Sequence, residues 1–270
     1  MKKLPKMKIA ACGIDCNECG QYKVTAMQDA ESAESLVEWF KSRGWIGENE
    51  GAEAVMKKAP LCKGCWNITD DCFWKYGCGG GNCDILKCCS EKELNHCGEC
   101  DIFPCEHCNR FMGDGGHHKK AIEYLMSLRK AEQIVNGSTM HTVAESGLGA
   151  DWVMSLTDED GYPTASMITA SRADGFKWIA FCSGLSWNKP TRAEKDPRSC
   201  VYLFDKESFS GISLTGKIEV ITDSEVKKQM WYDALGDFFR NHEDEKLCVL
   251  MFNPEQYNIF IDNRTIHGVF

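Results

Sequence analysis

The chain has 270 residues, 26% of them charged, and a formal net charge of −9; that length suits two ordinary domains, which commonly run to roughly 100–200 residues. An acidic balance with no Lys/Arg cluster beyond residues 1–8 gives no field attractive to phosphate backbones, so nucleic acid is excluded as a partner. No apolar run is long enough to span a bilayer and no leader pattern opens the chain, which predicts a cytoplasmic protein with no membrane partner.

Cysteine separates the two halves: 14 of the 17 lie at or before Cys108, and only Cys182, Cys200 and Cys248 follow. In a reducing compartment such a dense pattern, odd in number, points to metal ligation or redox chemistry ahead of disulfides. In chain order the first group is Cys12-x3-Cys16-x2-Cys19. An amphipathic helix is then expected over 29–43, with Leu36, Val37, Trp39 and Phe40 at helical spacing and Gly44 as its stop. The further groups are Cys62-x2-Cys65, then Cys78, Cys83, Cys88 and Cys89, then Cys97-x2-Cys100-x4-Cys105-x2-Cys108, with Cys72 standing between the first two of these. Between Cys62 and Cys108 there is little periodicity and much glycine, including Gly79-Gly80-Gly81, so hydrophobic burial alone does not offset the ordering entropy and a bound metal would supply folding energy.

Two residues between cysteines let one tight turn aim both sulfurs at a single ion, and two such turns complete a tetrahedral four-sulfur site. The candidate metal ligands are therefore Cys12, Cys16, Cys19, Cys62, Cys65, Cys78, Cys83, Cys88, Cys97, Cys100, Cys105 and Cys108. A closed structural zinc site is the preferred reading. An iron–sulfur cluster uses the same ligands, and Cys100-x4-Cys105-x2-Cys108 matches the plant-ferredoxin spacing, so spacing leaves both open. His96, His107, His117 and His118 are possible substitutes for one sulfur. The first triad also resembles that of radical-SAM enzymes, but the β-rich half begins too soon for the barrel those enzymes need.

A second apolar stripe, Ile122, Leu125, Met126 and Leu128, predicts a helix over 118–133, with Asn136-Gly137 as stop and hinge. The domain boundary is placed there, giving a Cys-rich domain at 1–133 and a second domain at 134–270. Short β runs are expected at 152–157, 164–170, 177–182, 199–204, 211–221, 247–252 and 257–261, with Asp160-Gly161 and Asp174-Gly175 as turns. One helix is expected over 224–240, where Trp231, Phe238 and Phe239 fall at helical spacing. Many strands with few helices predict a barrel, so the fold class is α+β: an antiparallel split β-barrel preceded by a small Cys-rich, metal-stabilised domain.

The order CGIDCNEC, CKGC and HCGECDIFPCEHC resembles an uncharacterised Cys-rich family of bacteria and archaea over residues 10–112, which implies metal binding and no particular reaction. The runs DWVMSLTDEDGYPTASMI, KWIAFCSGLSWNKPTRAEKDPRSCVYLF and GISLTGKIEVITD resemble the pyridoxamine-phosphate-oxidase-like split barrels, general-stress branch, over about 140–262. That resemblance implies FMN held between two barrels of a homodimer. Carried over by motif, Ser166, Met167, Ile168 and Thr169 would meet the isoalloxazine edge, Cys182 and Ser183 would flank the ring and ribityl chain, and Lys189 would pair with the phosphate. Trp187, beside Lys189, is a candidate to lie over the ligand. Ser186 or Asn188 is expected to cap a short helix whose N-terminus favours a dianion. Many members carry an Arg on the first flavin strand, where this chain reads Pro163-Thr164-Ala165-Ser166. The segment Asn263-Arg264-Thr265-Ile266-His267 does not match the one that holds pyridoxal phosphate, so that substrate is not expected.

No Ser/His/Asp or Cys/His catalytic order is present, and the catalytic residues are unassigned; any chemistry would be the flavin's. The resemblance implies an FMN-dependent oxidoreductase acting on a small molecule or electron donor, with the Cys domain as a zinc-stabilised accessory or an iron–sulfur conduit. The competing reading is a non-catalytic flavin or metal sensor in which the barrel is a dimerising scaffold.

Overall fold

The computed structural model describes residues 9–58, 64–67, 83–113, 116–143 and 152–270. The predicted ligands Cys62 and Cys78 and the triple glycine lie outside them. The chain divides into two compact units, Met1–Met126 and Ser127–Phe270.

The first unit holds α1 (Gly20–Met27), α2 (Ala30–Ser42), α3 (Ala52–Lys58), α4 (Asp84–Glu91) and α5 (Glu106–Gly113), and α6 (Gly116–Gly137) begins in it. Helix α2 forms where its apolar spacing predicts, and its start is fixed by Asp29, whose carboxylate accepts the Ser32 N–H at 3.2 Å. Its buried face, Ala33, Val37 and Phe40, closes a small apolar core with Val24, Ile46 and Val55. A second core is built differently. Cys12, Cys16, Cys89, Cys97 and Cys108 are buried with Ala10, Ala11, Ile85, Phe103, Ile122 and Leu125, so cysteine takes the place aliphatic side chains usually fill. That accounts for α4 and α5, which lie in the stretch expected to lack periodicity. Ile85 and Cys89, four residues apart on α4, form its buried stripe once cysteine is counted as apolar.

The second unit contains α7 (Met140–Val143), β1 (Trp152–Thr157), β2 (Pro163–Ile168), β3 (Ala170–Asp174), β4 (Trp178–Gly184), α8 (Asn188–Lys195), β5 (Arg198–Asp205), β6 (Ser210–Ile221), α9 (Ser224–Met230), β7 (Leu247–Ile261) and β8 (Arg264–Val269). All strand pairings are antiparallel, in the order β2-β1-β5-β6-β7-β4-β3, with β8 on the outer half of β7. Strands β2 and β3 are the two ends of this order, yet Thr169 alone separates them in the chain. The sheet must therefore curl until its edges approach, and the unit is a split β-barrel of α+β class. Trp152 on β1 and Phe181 on β4 meet edge to face at 5.9 Å inside it, among the fully buried Met154, Ile179, Leu203, Ile212, Leu214 and Phe252.

Both Asp-Gly turns form. Gly161 and Gly175 take the left-handed backbone at φ 87° and 53°, which glycine adopts without steric cost. Three expectations are corrected. The single run at 164–170 is two strands broken at Thr169. The runs at 247–252 and 257–261 are one strand: β7 continues past Pro254 because the β6 register shifts between Thr215 and Gly216, and this bulge leaves room for a residue that cannot donate to the ladder. The helix expected over 224–240 ends at Met230, whose carbonyl accepts the Ser171 hydroxyl and the Cys182 thiol instead of a later amide, and only a short 3-10 turn, Asp233–Asp237, follows.

Candidate functional site

Strand β2 is an edge strand, and the pairing Trp152↔Ile168, Met154↔Ser166 and Leu156↔Thr164 puts Ile168, Ser166 and Thr164 on the same face as three buried residues of β1. Paired residues of antiparallel strands project to one side. This inward row is nevertheless left partly open: Ser166 is exposed, and Thr164 and Ile168 are half-buried. Met167, 55% exposed, points the other way, opposite Val153. Thr169 is half-buried at the junction between β2 and β3.

Helix α8 borders this strip, and Arg192 Nη1 donates to Thr164 Oγ1 at 2.7 Å. Lys189 lies one turn earlier, half-buried, and burial lowers its pKa. No carboxylate among the described residues pairs with it, whereas Lys195 pairs with Glu159 and Arg198 with Asp196. The expected side-chain cap does not form. Trp187 N–H donates to Gly184 O at 2.8 Å, and this turn makes Trp187 the residue before the helix, in place of Ser186, with no side-chain cap bond. Trp187 is half-exposed, its indole tilted against Phe239 at 5.8 Å and over Gly184, where a methyl group would stand 2.5 Å from Cε2.

Cys182 and Ser183 are placed differently from the strip. Cys182 packs with Met230, Leu235 and Phe239, and burial pushes its thiol up to about 12. Ser183 is buried beside it, its carbonyl accepting the Cys248 thiol at 3.4 Å. Both therefore belong to the packed core here, while Thr164 and Ser166 line the open strip, Arg192 reaches it, and Lys189 lies three residues before Arg192 on α8. Arg192 and Thr164 are the residues that sequence reasoning passes over. The legible signal is the spacing of three between Lys189 and Arg192, which places both on one side of a helix.

In the first unit, Cys19 precedes α1, Cys83 precedes α4, Cys88 lies within α4, Cys65 opens a short 3-10 turn, and Cys97 to Cys100 form another. Among the described residues no set of three or more His, Cys, Asp or Glu side chains is gathered as metal ligands would be. What is present is a chain of sulfurs: Cys97 lies 3.8 Å from Cys108, and Cys108 lies 3.9 Å from Cys105. Those separations are close to the edge of a tetrahedral zinc–thiolate site, about 3.8 Å for a zinc–sulfur bond of about 2.3 Å. The contact between Cys97 and Cys108 holds Cys108 below the usual thiol range and, with burial, pushes Cys97 up. Lys92 Nζ reaches Cys100 Sγ at 3.3 Å. His96 is kept neutral by burial, and its Nδ1 is buried with no hydrogen-bond partner among the described residues. The donor chemistry thus fits a thiophilic ion, while four converging ligands are not assembled among the described residues.

Residues 8–110 match the model of a family described as a protein of unknown function (DUF3795). No curated protein shows significant similarity to the chain. Among solved structures, a protein related to general stress protein 26 (pyridoxinephosphate oxidase family) from Clostridium acetobutylicum is 24% identical, with 52% of this chain and 96% of that one covered and a TM-score of 0.43. General stress protein 26 from Bacillus anthracis str. Sterne is 20% identical, with the same coverage of 52% and 96% and a TM-score of 0.42. A pyridoxamine 5'-phosphate oxidase-related, FMN-binding protein from Nostoc punctiforme is 13% identical over 47% of this chain and 79% of that one, with a TM-score of 0.37. No helix among the described residues is long and apolar enough to cross a membrane.

Proposed function

We propose that the chain is a cytoplasmic FMN-binding flavoprotein, an FMN-dependent oxidoreductase acting on a small molecule, whose barrel works as a homodimer. The Cys-rich unit would bind zinc, or an iron–sulfur cluster that passes electrons. The observation that carries the flavin reading is the open inward strip of β2, which Arg192 of α8 meets, with a half-buried Lys189 three residues earlier on that helix that has no counter-charge among the described residues. Partial burial of an ammonium without an anion is unfavourable, and a ligand phosphate removes the imbalance. The sequence motifs around Thr164–Thr169 and Lys189 support the same ligand. A bound flavin would supply the redox chemistry, while Lys189 would anchor its phosphate and Ser166 to Thr169 would border its ring. For the homodimer, the support is the edge position of β2 with Met167 exposed on it and Tyr162 exposed just before it, a surface a second copy would cover.

For the metal, the support is the sulfur chain Cys97–Cys108–Cys105 and the orphaned His96 nitrogen. The visible spectrum of full-length protein purified without air, with metal analysis of the same sample, tests both readings. Two flavin bands with zinc are expected; an added broad shoulder with iron selects the cluster. Failure to bind added FMN overturns the flavin reading, and protein free of zinc and iron overturns the metal one.

A second reading, a non-catalytic redox or metal sensor, is favoured by one feature: Cys97 and Cys108 lie 3.8 Å apart with Cys108 held below the usual thiol range, as suits a thiolate that meets an oxidant or a metal. Reduction of bound flavin by NADH or NADPH, with reoxidation by an acceptor, separates the enzyme from the sensor.

A further inference from the structure

Most cations around α8 are neutralised by acids: Lys195 Nζ lies 3.3 Å from Glu159, Arg198 is 2.6 Å from Asp196, and Lys217 is 2.7 Å from Glu255. Among the described residues Lys189 and Arg192 have no such partner, and they stand three residues apart on one side of the helix, where like charges repel unless an anion lies between them. Arg192 is also aimed. Thr164 Oγ1 donates to Leu156 O at 2.9 Å, which leaves its lone pairs to accept from Arg192 Nη1 at 2.7 Å and fixes the guanidinium against the inward face of β2. That bond uses one of five N–H donors, and the others remain for a ligand. Two residues along the same face, Ser166 presents an exposed hydroxyl. Two cations on one side of α8 with no carboxylate partner among the described residues, one of them held against the strip, form a site for a group carrying about two negative charges and several acceptor oxygens, which describes a phosphate monoester better than a carboxylate.

We infer that Arg192 is the second cation of this site, fixed by Thr164, and that it makes the barrel select phosphorylated flavin over the unphosphorylated nucleoside. The inference rests on the flavin reading and adds the residue that sets phosphate specificity. Arginine suits the role because its planar fork binds two phosphate oxygens at once, which a point-charge lysine at the same position does less well.

The test compares dissociation constants of the full-length protein for FMN and for riboflavin, followed by flavin fluorescence, in wild type and in Arg192→Ala, Arg192→Lys and Thr164→Val. A charge-assisted hydrogen bond is worth about 1.5–3 kcal/mol, so Arg192→Ala should weaken FMN binding about 10- to 100-fold while riboflavin binding stays unchanged. Arg192→Lys should recover part of the loss, and Thr164→Val, which keeps the charge but frees the guanidinium, should fall between. A general loss of folding would weaken both ligands alike, so the FMN-to-riboflavin ratio is the deciding quantity. A wild-type ratio near one, or a ratio that Arg192→Ala leaves unchanged, overturns the inference and leaves the flavin reading standing. Wild type that binds neither flavin removes the flavin reading. The inference is then decided by inorganic phosphate alone, titrated against the side-chain NMR signals of isotope-labelled arginine: a saturable shift lost in Arg192→Ala sustains the anion site, and its absence overturns it.

Discussion

At the scale of single residues, close approaches decide which positions tolerate change. Gly216 sits at the bulge between β6 and β7, where an added methyl group would stand 2.1 Å from the Asn253 carbonyl oxygen. Backbone cannot step aside as a flexible side chain does, so Gly216→Ala should cost about 1–3 kcal/mol or more of unfolding free energy in a denaturant titration. Gly184 is the contrasting case, since its neighbour is the movable indole of Trp187. Asp244 is buried, and its carboxylate accepts the Lys246 and Arg240 N–H groups at 3.0 Å each, which holds its pKa below the ordinary range. A depressed pKa stabilises the fold above the unfolded-state value of about 3.9, and that contribution disappears as pH falls through the folded value. Asp244→Asn should therefore lower the thermal midpoint at neutral pH, and the gap from wild type should narrow below about pH 4. A gap that stays constant down to acid pH would mean the charge is not what Asp244 contributes.

At the scale of elements, each helix owes its length to a different device. Helix α2 begins at a carboxylate cap and buries Ala33, Val37 and Phe40. Asp29→Ala removes the cap and should destabilise the first unit by about 1 kcal/mol, seen as a lower urea midpoint for that unit's transition. Helix α9 is short for the opposite reason: its last carbonyl is taken by Ser171 and Cys182, side chains distant in sequence, so no further turn is hydrogen-bonded. Helix α8 begins without a side-chain cap, at a turn after which Arg192 reaches the open strip of β2.

For the whole molecule, the two compact units rest on different cohesive forces. The second has a continuous aliphatic and aromatic interior, in which each fully buried large apolar side chain contributes about 1.5–3 kcal/mol. In the first, buried cysteines occupy much of one core. If that core is closed by a metal, a chelator should lower the first unit's calorimetric transition and leave the second within a few degrees of its original midpoint. Transitions that both ignore the chelator would count against the metal reading.

Local order was legible along the chain because it depends on near neighbours. The Asp-Gly turns, the extent of β1 from Trp152 to Thr157, the stripe of α2 and the concentration of cysteine in the first half all follow from spacing and residue type, and so did a barrel of α+β class. Among the candidate site residues, Lys189 was singled out by its motif, and its half-burial follows from the fold. Other features needed pairings across the chain. Thr169 separates the two edges of one curled sheet, and Pro254 passes through the middle of β7 because the bulge at Gly216 receives it. Arg192 reaches Thr164 across 28 residues, and Cys182 is drawn into the core by Met230, 48 residues on. Periodicity carries the backbone's local preference and the face a side chain takes. It holds no record of which distant strand completes a hydrogen-bond ladder, and that long-range choice is what leaves the inward row of β2 open beside Arg192.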